Sequence, residues 1–178
     1  MARPFAGYRD LAAGSARSPS VVSAVARFLF LVGGFVALTG TGRLAPTETI
    51  SAMMSFAWVP VVHGVGVAVT TRLVAPAVPF RRVYTLYLEG LGPWFVLFLI
   101  LSGFCLFADQ PARPVILFLS PLVAIAYAWH GLMIFALFRA GLALGRLRAA
   151  LATVLFYVFI HILILGYFLA VGQLWPIL

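Results

Sequence analysis

The stretch "YAWHGLMIF", residues 127–135, lies inside a long apolar segment, 115–138, and places a histidine, His130, within it. A helix that crosses the hydrocarbon core of a bilayer needs about 20 predominantly apolar residues. Four further apolar segments reach or approach this length, and they occupy 22–40, 51–71, 91–108 and 150–172. We therefore predict an all-α polytopic membrane helix bundle with five transmembrane helices and short loops.

The composition agrees with a membrane protein. Hydrophobic residues make up 64% of the chain and charged residues 9%, with a mean hydropathy of +1.13. Soluble domains average about 45–50% apolar and about 25% charged residues. The alternation of polar and apolar residues that is typical of membrane β-barrels is absent, and continuous helices satisfy backbone hydrogen bonds within lipid.

Arginine clusters alternate with nearly neutral segments along the chain. The segment before the first span carries Arg3, Arg9 and Arg17. The second and fourth loops carry the other clusters, namely Arg72, Arg81, Arg82, Arg139, Arg146 and Arg148. The positive-inside rule then predicts a cytoplasmic N-terminal segment, 1–20, followed by a single transmembrane domain, 21–178, with an external C-terminus.

The net charge of +8 would suggest nucleic acid as the partner of a soluble protein. Arginines beside membrane spans instead meet anionic headgroups, so we exclude nucleic acid.

Arg is the only basic residue type other than His, and Ala and Gly are abundant, a bias typical of GC-rich bacterial genomes. We therefore expect a bacterial inner-membrane location. The single cysteine, Cys105, excludes an intramolecular disulfide.

The first span has an alternative interpretation. Arg27 interrupts it and leaves a short apolar stretch, 28–38, which also fits the core of a cleaved signal peptide. We favour a retained span, because the long side chain of Arg27 can extend from near the helix end toward the cytoplasmic headgroups.

An amphipathic segment, 79–89, separates the second and third spans. Its apolar residues recur at helical spacing, while Arg81 and Arg82 fall on the other side. This pattern predicts a helix in the cytoplasmic interface. We expect Arg81 and Arg82, with Arg146 and Arg148 of the fourth loop, to contact anionic lipid headgroups or a protein partner.

Glycines suggest how the helices pack. Gly64 and Gly66 would allow close helix approach, and Gly141 and Gly145 have the spacing of a helix-dimer motif. A second, shorter amphipathic helix is suggested near the N-terminus, where Phe5, Tyr8 and Ala12 oppose Arg9 and Asp10; a solvated connector is the alternative.

The ionisable residues predicted within spans are His63, His130 and His161, with Glu89 near a span end. Such residues are costly in lipid and mark candidate functional sites. The three histidines lie about 12–16 Å from the cytoplasmic ends of their spans, in one layer. Two facing histidines could ligate haem b, and the same layer could bind a quinone or a divalent metal.

A structural role for these histidines is the interpretation we favour. Tyr127 precedes His130 by about one turn, and Tyr157 precedes His161 in the same way. Two helices could therefore share a polar seam of tyrosine and histidine hydrogen bonds.

The chain offers little for catalysis or for transport. It has no carboxylate pair within a span, no serine–histidine–acid arrangement with a buried acid and no phosphate-binding glycine loop with lysine. Few polar residues lie within spans to line a transport path. We therefore expect a protein that is not an enzyme and has no catalytic residues.

Several features together resemble the bacterial branch of the Yip1 family of five-span membrane proteins. They are Ser18-Pro19 before the first span, five spans with short loops, and the run "WHGLMIFALFRAGLALGRLRAALATVLFY" through the fourth span into the fifth, within 115–168. The resemblance implies a non-enzymatic subunit that acts through lipid and through other membrane proteins or self-association. The alternative is a small membrane anchor of a redox complex that holds haem b or quinone.

Overall fold

The computed structural model of the protein describes residues 3–14, 20–41, 46–107 and 113–170. These ranges contain helices and turns and no strand, so the all-α prediction is confirmed for this part of the chain. The helices are α1 Pro4–Ala12, α2 Val21–Thr41, α3 Pro46–Ser55, α4 Trp58–Val74, α5 Phe80–Glu89, α6 Gly92–Phe107, α7 Arg113–Ala136 and α8 Arg146–Ala170, with a π-helical turn at Leu137–Gly141.

Four helical stretches are long and apolar enough to cross a membrane. They are Pro46–Val74, Phe80–Gly103, Ser120–Gly141 and Arg146–Ala170. Together they indicate a membrane-embedded, multi-pass protein. The first predicted span, 22–40, falls on α2. The apolar helical stretch described there, Val21–Val36, is shorter than the four stretches above. A fifth span therefore stays a prediction.

Two of the predicted elements differ from the observed ones. The predicted span 51–71 is divided between α3 and α4, which meet at a turn through Phe56 and Ala57. The segment 79–89 is a helix, as predicted, but Val83, Leu86 and Tyr87 of this helix α5 are buried within the protein. Its apolar side thus packs on neighbouring helices, and its depth in a bilayer stays a prediction.

The spacing of Gly141 and Gly145 does not form a helix-dimer surface. Gly141 ends the π-helical turn, in which the Leu142 amide donates to the Leu137 carbonyl at 3.0 Å, and Gly145 lies in the turn before α8. The two glycines therefore do not share one helix face. Gly66, by contrast, lies where α4 approaches α8, against Ile160.

The helices form two packed groups that share one core. Helix α2 packs on α3 and α6, α4 packs on α8, and α7 bridges α6 and α8. Helices α1 and α5 and the π-helical turn contact one another across one end of the bundle. The buried side chains there include Tyr8, Val83, Tyr87, Leu137 and Phe138.

This end of the bundle gathers the three arginine-rich segments. The Arg82 guanidinium donates to the Ala12 carbonyl at 2.7 Å and so links α5 to the end of α1. The π-helical turn, which carries Arg139, packs against the same two helices and against α8, which begins with Arg146 and Arg148. Contacts within the protein therefore join the segments that the charge pattern assigns to one side of the membrane. The side that this end faces stays a prediction.

A tyrosine–histidine seam as the candidate functional site

Helices α7 and α8 meet through two tyrosine–histidine hydrogen bonds. The Nδ1 atom of His130 lies 2.8 Å from the Tyr157 hydroxyl, and Nε2 of His161 lies 3.0 Å from the Tyr127 hydroxyl. Each helix thus contributes one tyrosine and one histidine, and each tyrosine bonds the histidine of the other helix. The predicted polar seam is therefore present in the structure.

The hydrogen bonds around His161 indicate its tautomer. Its Nδ1 lies 2.7 Å from the Tyr157 carbonyl oxygen, which can only accept, so Nδ1 carries the proton. In the neutral ring Nε2 is then an acceptor, and the Tyr127 hydroxyl donates a hydrogen bond to it. Both ring nitrogens are engaged, although the His161 side chain is exposed at the outside of the bundle.

Tyr87 extends the seam to His63. The Tyr87 side chain is fully buried and its hydroxyl is hydrogen-bonded to Nδ1 of His63. Its ring centroid lies 5.7 Å from that of His63 and 6.2 Å from that of His130. We call Tyr127, His130, Tyr157 and His161, together with His63 and Tyr87, the Tyr–His seam.

The sequence did not reveal the role of Tyr87. Tyr87 belongs to the apolar stripe of the segment 79–89, and that stripe predicts a helix in the membrane interface. The neighbouring Tyr84 hydroxyl donates to the Pro60 carbonyl at 2.8 Å, so both tyrosines attach α5 to α4. Two polar-tipped aromatic residues in an apolar stripe are the signal that could have indicated burial against protein, because buried tyrosine hydroxyls need partners.

The three histidines share the seam but do not stack on one another, because tyrosine rings lie between them. Tyr87 occupies the position between His63 and His130. The cavity beside His63 and Tyr87 measures about 10 Å³, the space of about one water molecule. His130 is not among the residues that line this cavity, and the haem b alternative stays a prediction.

One buried nitrogen of the seam has no hydrogen-bond partner among the described residues. This atom is Nε2 of His130, a residue only 2% exposed, which also packs edge-on to Trp94 at 5.7 Å. A buried polar atom of this kind could bond to a polar ligand group. In the parts of the chain that are described, no cluster of three His, Cys, Asp or Glu side chains could hold a metal ion.

The other predicted contact residues lie at the arginine-rich end. Arg81, Arg82, Arg146 and Arg148 are all exposed there. Glu89 is half-buried, and its carboxylate acts electrostatically on Tyr8 of α1. Burial raises the pKa of the Tyr8 phenol well above its usual range, and the negative charge of Glu89 adds a smaller increase. Tyr8 is therefore neutral.

Comparisons of the chain with models of known families, with curated proteins and with solved structures find no match.

Proposed function

We propose that the protein is a non-catalytic, multi-pass subunit of the bacterial inner membrane, of Yip1-like type, that binds protein partners or organises the membrane. The observation that supports this proposal most directly is the pairing within the Tyr–His seam. His63, His130 and His161 each bond a tyrosine from another helix. These residues therefore join helices, as interhelical polar contacts in membrane proteins do.

The arginine-rich end offers the surface through which such a subunit would act. Arg81 and Arg148 are exposed there, on α5 and α8. Exposed arginines attract anionic headgroups and are common at protein interfaces. The positive-inside rule places this end in the cytoplasm.

Photo-crosslinking in native membranes tests the partner-binding role. A photoreactive residue at position 148 or 81 should give a discrete protein adduct, either with another protein or with a second copy of the chain. Val158, which is exposed farther along α8, is the matched control and should give lipid adducts only. The absence of protein adducts at both arginine positions, or the same adducts at Val158, would reject this role.

Reporter fusions test the orientation. Fusions after residues 78 and 144 should be cytoplasmic, and a fusion after residue 178 should be external, if five spans follow the positive-inside rule. The opposite location at any one site would contradict the proposed topology.

The second candidate function is a redox-complex anchor that binds a quinone. The buried His130 Nε2, which lacks a partner among the described residues, favours it, because a quinone carbonyl accepts a hydrogen bond from a protonated ring nitrogen. Quinone that is extracted with the wild-type protein and lost from the His130→Ala variant would support this candidate.

An absorbance spectrum with and without dithionite tests haem b separately, and a Soret band would show that Tyr87 moves away from its position between the histidines.

A further inference from the structure

A cavity at the arginine-rich end is lined by three arginines. It has a volume of about 630 Å³ and is lined by Phe5, Arg9, Phe135, Arg139, Ala140, Ala143 and Arg146. The arginines come from three separate elements, namely α1, the π-helical turn and the start of α8. We call this cavity the arginine pocket, and its size is that of small-molecule sites, about 300–1,000 Å³.

The pocket has an excess of positive charge. No carboxylate is among its lining residues. The Arg9 Nε atom donates to the Phe5 carbonyl at 3.3 Å, and Arg139 donates through Nη1 to the Leu144 carbonyl at 3.0 Å. These bonds to carbonyl oxygens orient the two side chains. The remaining guanidinium donors suit an anion with several oxygens, since arginine binds phosphate with paired hydrogen bonds.

The other residues that line the pocket are apolar. Phe5 and Phe135 meet edge to face at 6.0 Å and join α1 to α7. An exposed apolar stripe on α8 begins at the residue after Arg146 and consists of Leu147, Leu151, Val154, Val158 and Ile162. A ligand with a phosphate in the pocket could therefore extend an apolar chain along this stripe.

We propose that the arginine pocket binds the phosphate of an anionic phospholipid headgroup, with the acyl chains along α8. The proposal rests on the membrane location in the proposed function and adds a specific ligand site to it. The clustered arginines provide charge, and the adjoining stripe provides the apolar surface that a free phosphate would not use. Basic pockets between helices at the cytoplasmic side of membrane proteins bind such headgroups.

Native mass spectrometry of the full chain, released from a mild neutral detergent, tests the proposal. Phosphatidylglycerol should bind about tenfold more tightly than phosphatidylcholine with the same acyl chains. The double variant Arg9→Gln/Arg146→Gln should lose about tenfold in affinity for phosphatidylglycerol and change little for phosphatidylcholine. Both residues are exposed, so the fold should tolerate the change.

The control is Arg72→Gln, which removes an exposed charge at the end of α4, outside the pocket lining. It should change the affinity by less than about twofold, as a surface charge partly screened by salt. An equal loss in this control would show non-specific attraction and overturn the proposal. Glycerol phosphate or inorganic phosphate should not displace the lipid, and displacement at equal concentration would identify a free-phosphate site instead.

The outcomes separate this pocket from the proposed function. If phosphatidylglycerol preference is absent in protein that still forms the cross-links at positions 81 and 148, the pocket proposal fails alone. If the preference is present without those cross-links, the partner-binding role fails alone.

Discussion

The Tyr–His seam and the arginine pocket use polar residues in opposite ways. In the seam, each histidine bonds a tyrosine from another helix, and His130 and Tyr87 are buried between the helices. In the pocket, Arg9, Arg139 and Arg146 bring like charges together around an open cavity with no carboxylate in its lining.

The difference separates structural from binding roles in a chain that has few polar residues. Hydrogen bonds made within the protein stabilise one helix arrangement, because an unsatisfied polar group in lipid is costly. A cluster of like charges is electrostatically unfavourable until an anion neutralises it. Substitutions in the two regions should therefore affect stability with opposite signs.

The largest expected effect is at the centre of the seam. His130→Ala should lower the free energy of unfolding by about 2 kcal/mol, because it creates a cavity and leaves the Tyr157 hydroxyl without its partner. Denaturation of the purified protein in mixed micelles measures the change. His161→Ala is the control, and its exposed side chain should matter by less than about 0.5 kcal/mol. Equal losses in the two variants would show that burial does not govern the seam.

The next effect concerns the close approach of α4 and α8 beside the seam. A Cβ atom at Gly66 would lie 2.6 Å from Cδ1 and 3.1 Å from Cγ1 of Ile160. Gly66→Ala should therefore cost about 1.5 kcal/mol by overpacking. Denaturation in the same micelles measures this loss.

Gly64→Ala is the matched control, since its Cβ would lie 3.5 Å from the Tyr84 ring, an ordinary contact. Addition of Ile160→Val, which removes Cδ1, should restore part of the stability lost in Gly66→Ala. No rescue would contradict the packing explanation.

A smaller effect is the pH dependence of stability that arises from Tyr8, the buried residue next to Arg9 on α1. The pKa of the Tyr8 phenol is higher in the folded protein than in the unfolded chain, where it is about 10. The contribution of Tyr8 to the free energy of unfolding is therefore fully present below pH about 10, and it is lost as the pH rises further. Between pH 8 and 10.5, wild-type stability should fall by about 0.8 kcal/mol relative to Tyr8→Phe. Parallel pH profiles of unfolding for the two proteins would contradict the burial of a neutral phenol.

The smallest effect has the opposite sign. At low salt and without anionic lipid, Arg9→Gln should stabilise the protein by about 0.3 kcal/mol, because it relieves repulsion in the arginine pocket. The gain should disappear at high salt. Thermal unfolding at two salt concentrations measures it, with Arg72→Gln as the comparison outside the pocket. A loss of stability in Arg9→Gln would show that the charges of the pocket are already compensated.

Particular residues show how far the sequence alone could reach. The pairs Tyr127–His130 and Tyr157–His161 lie one turn apart, and that spacing predicted the seam between α7 and α8 correctly. Tyr87 could not be assigned in this way, because an apolar stripe on α5 fits a lipid surface and a protein core equally well. The burial of Tyr87 depends on the position of α5 against α4.

The sequence alone does not predict the arginine pocket, for a similar reason. Arg146 was expected to contact headgroups, but Arg9 and Arg139 were noted only as members of charge clusters. Arg9 is far from the other two in sequence, and only the packing of α1 on the π-helical turn brings it to them.

The sequence by itself determined the all-α character, the apolar helices and the placement of arginines between them, because these depend on composition and on local periodicity. The tertiary structure decided which helix faces meet, that Tyr87 contacts both His63 and His130, and that Arg9 lines one cavity with the distant Arg139 and Arg146. The physical reason is that the apolar pattern of a membrane helix is nearly the same on its lipid-facing and protein-facing sides. Helix rotation and helix neighbours are therefore set by packing between side chains that are distant in sequence.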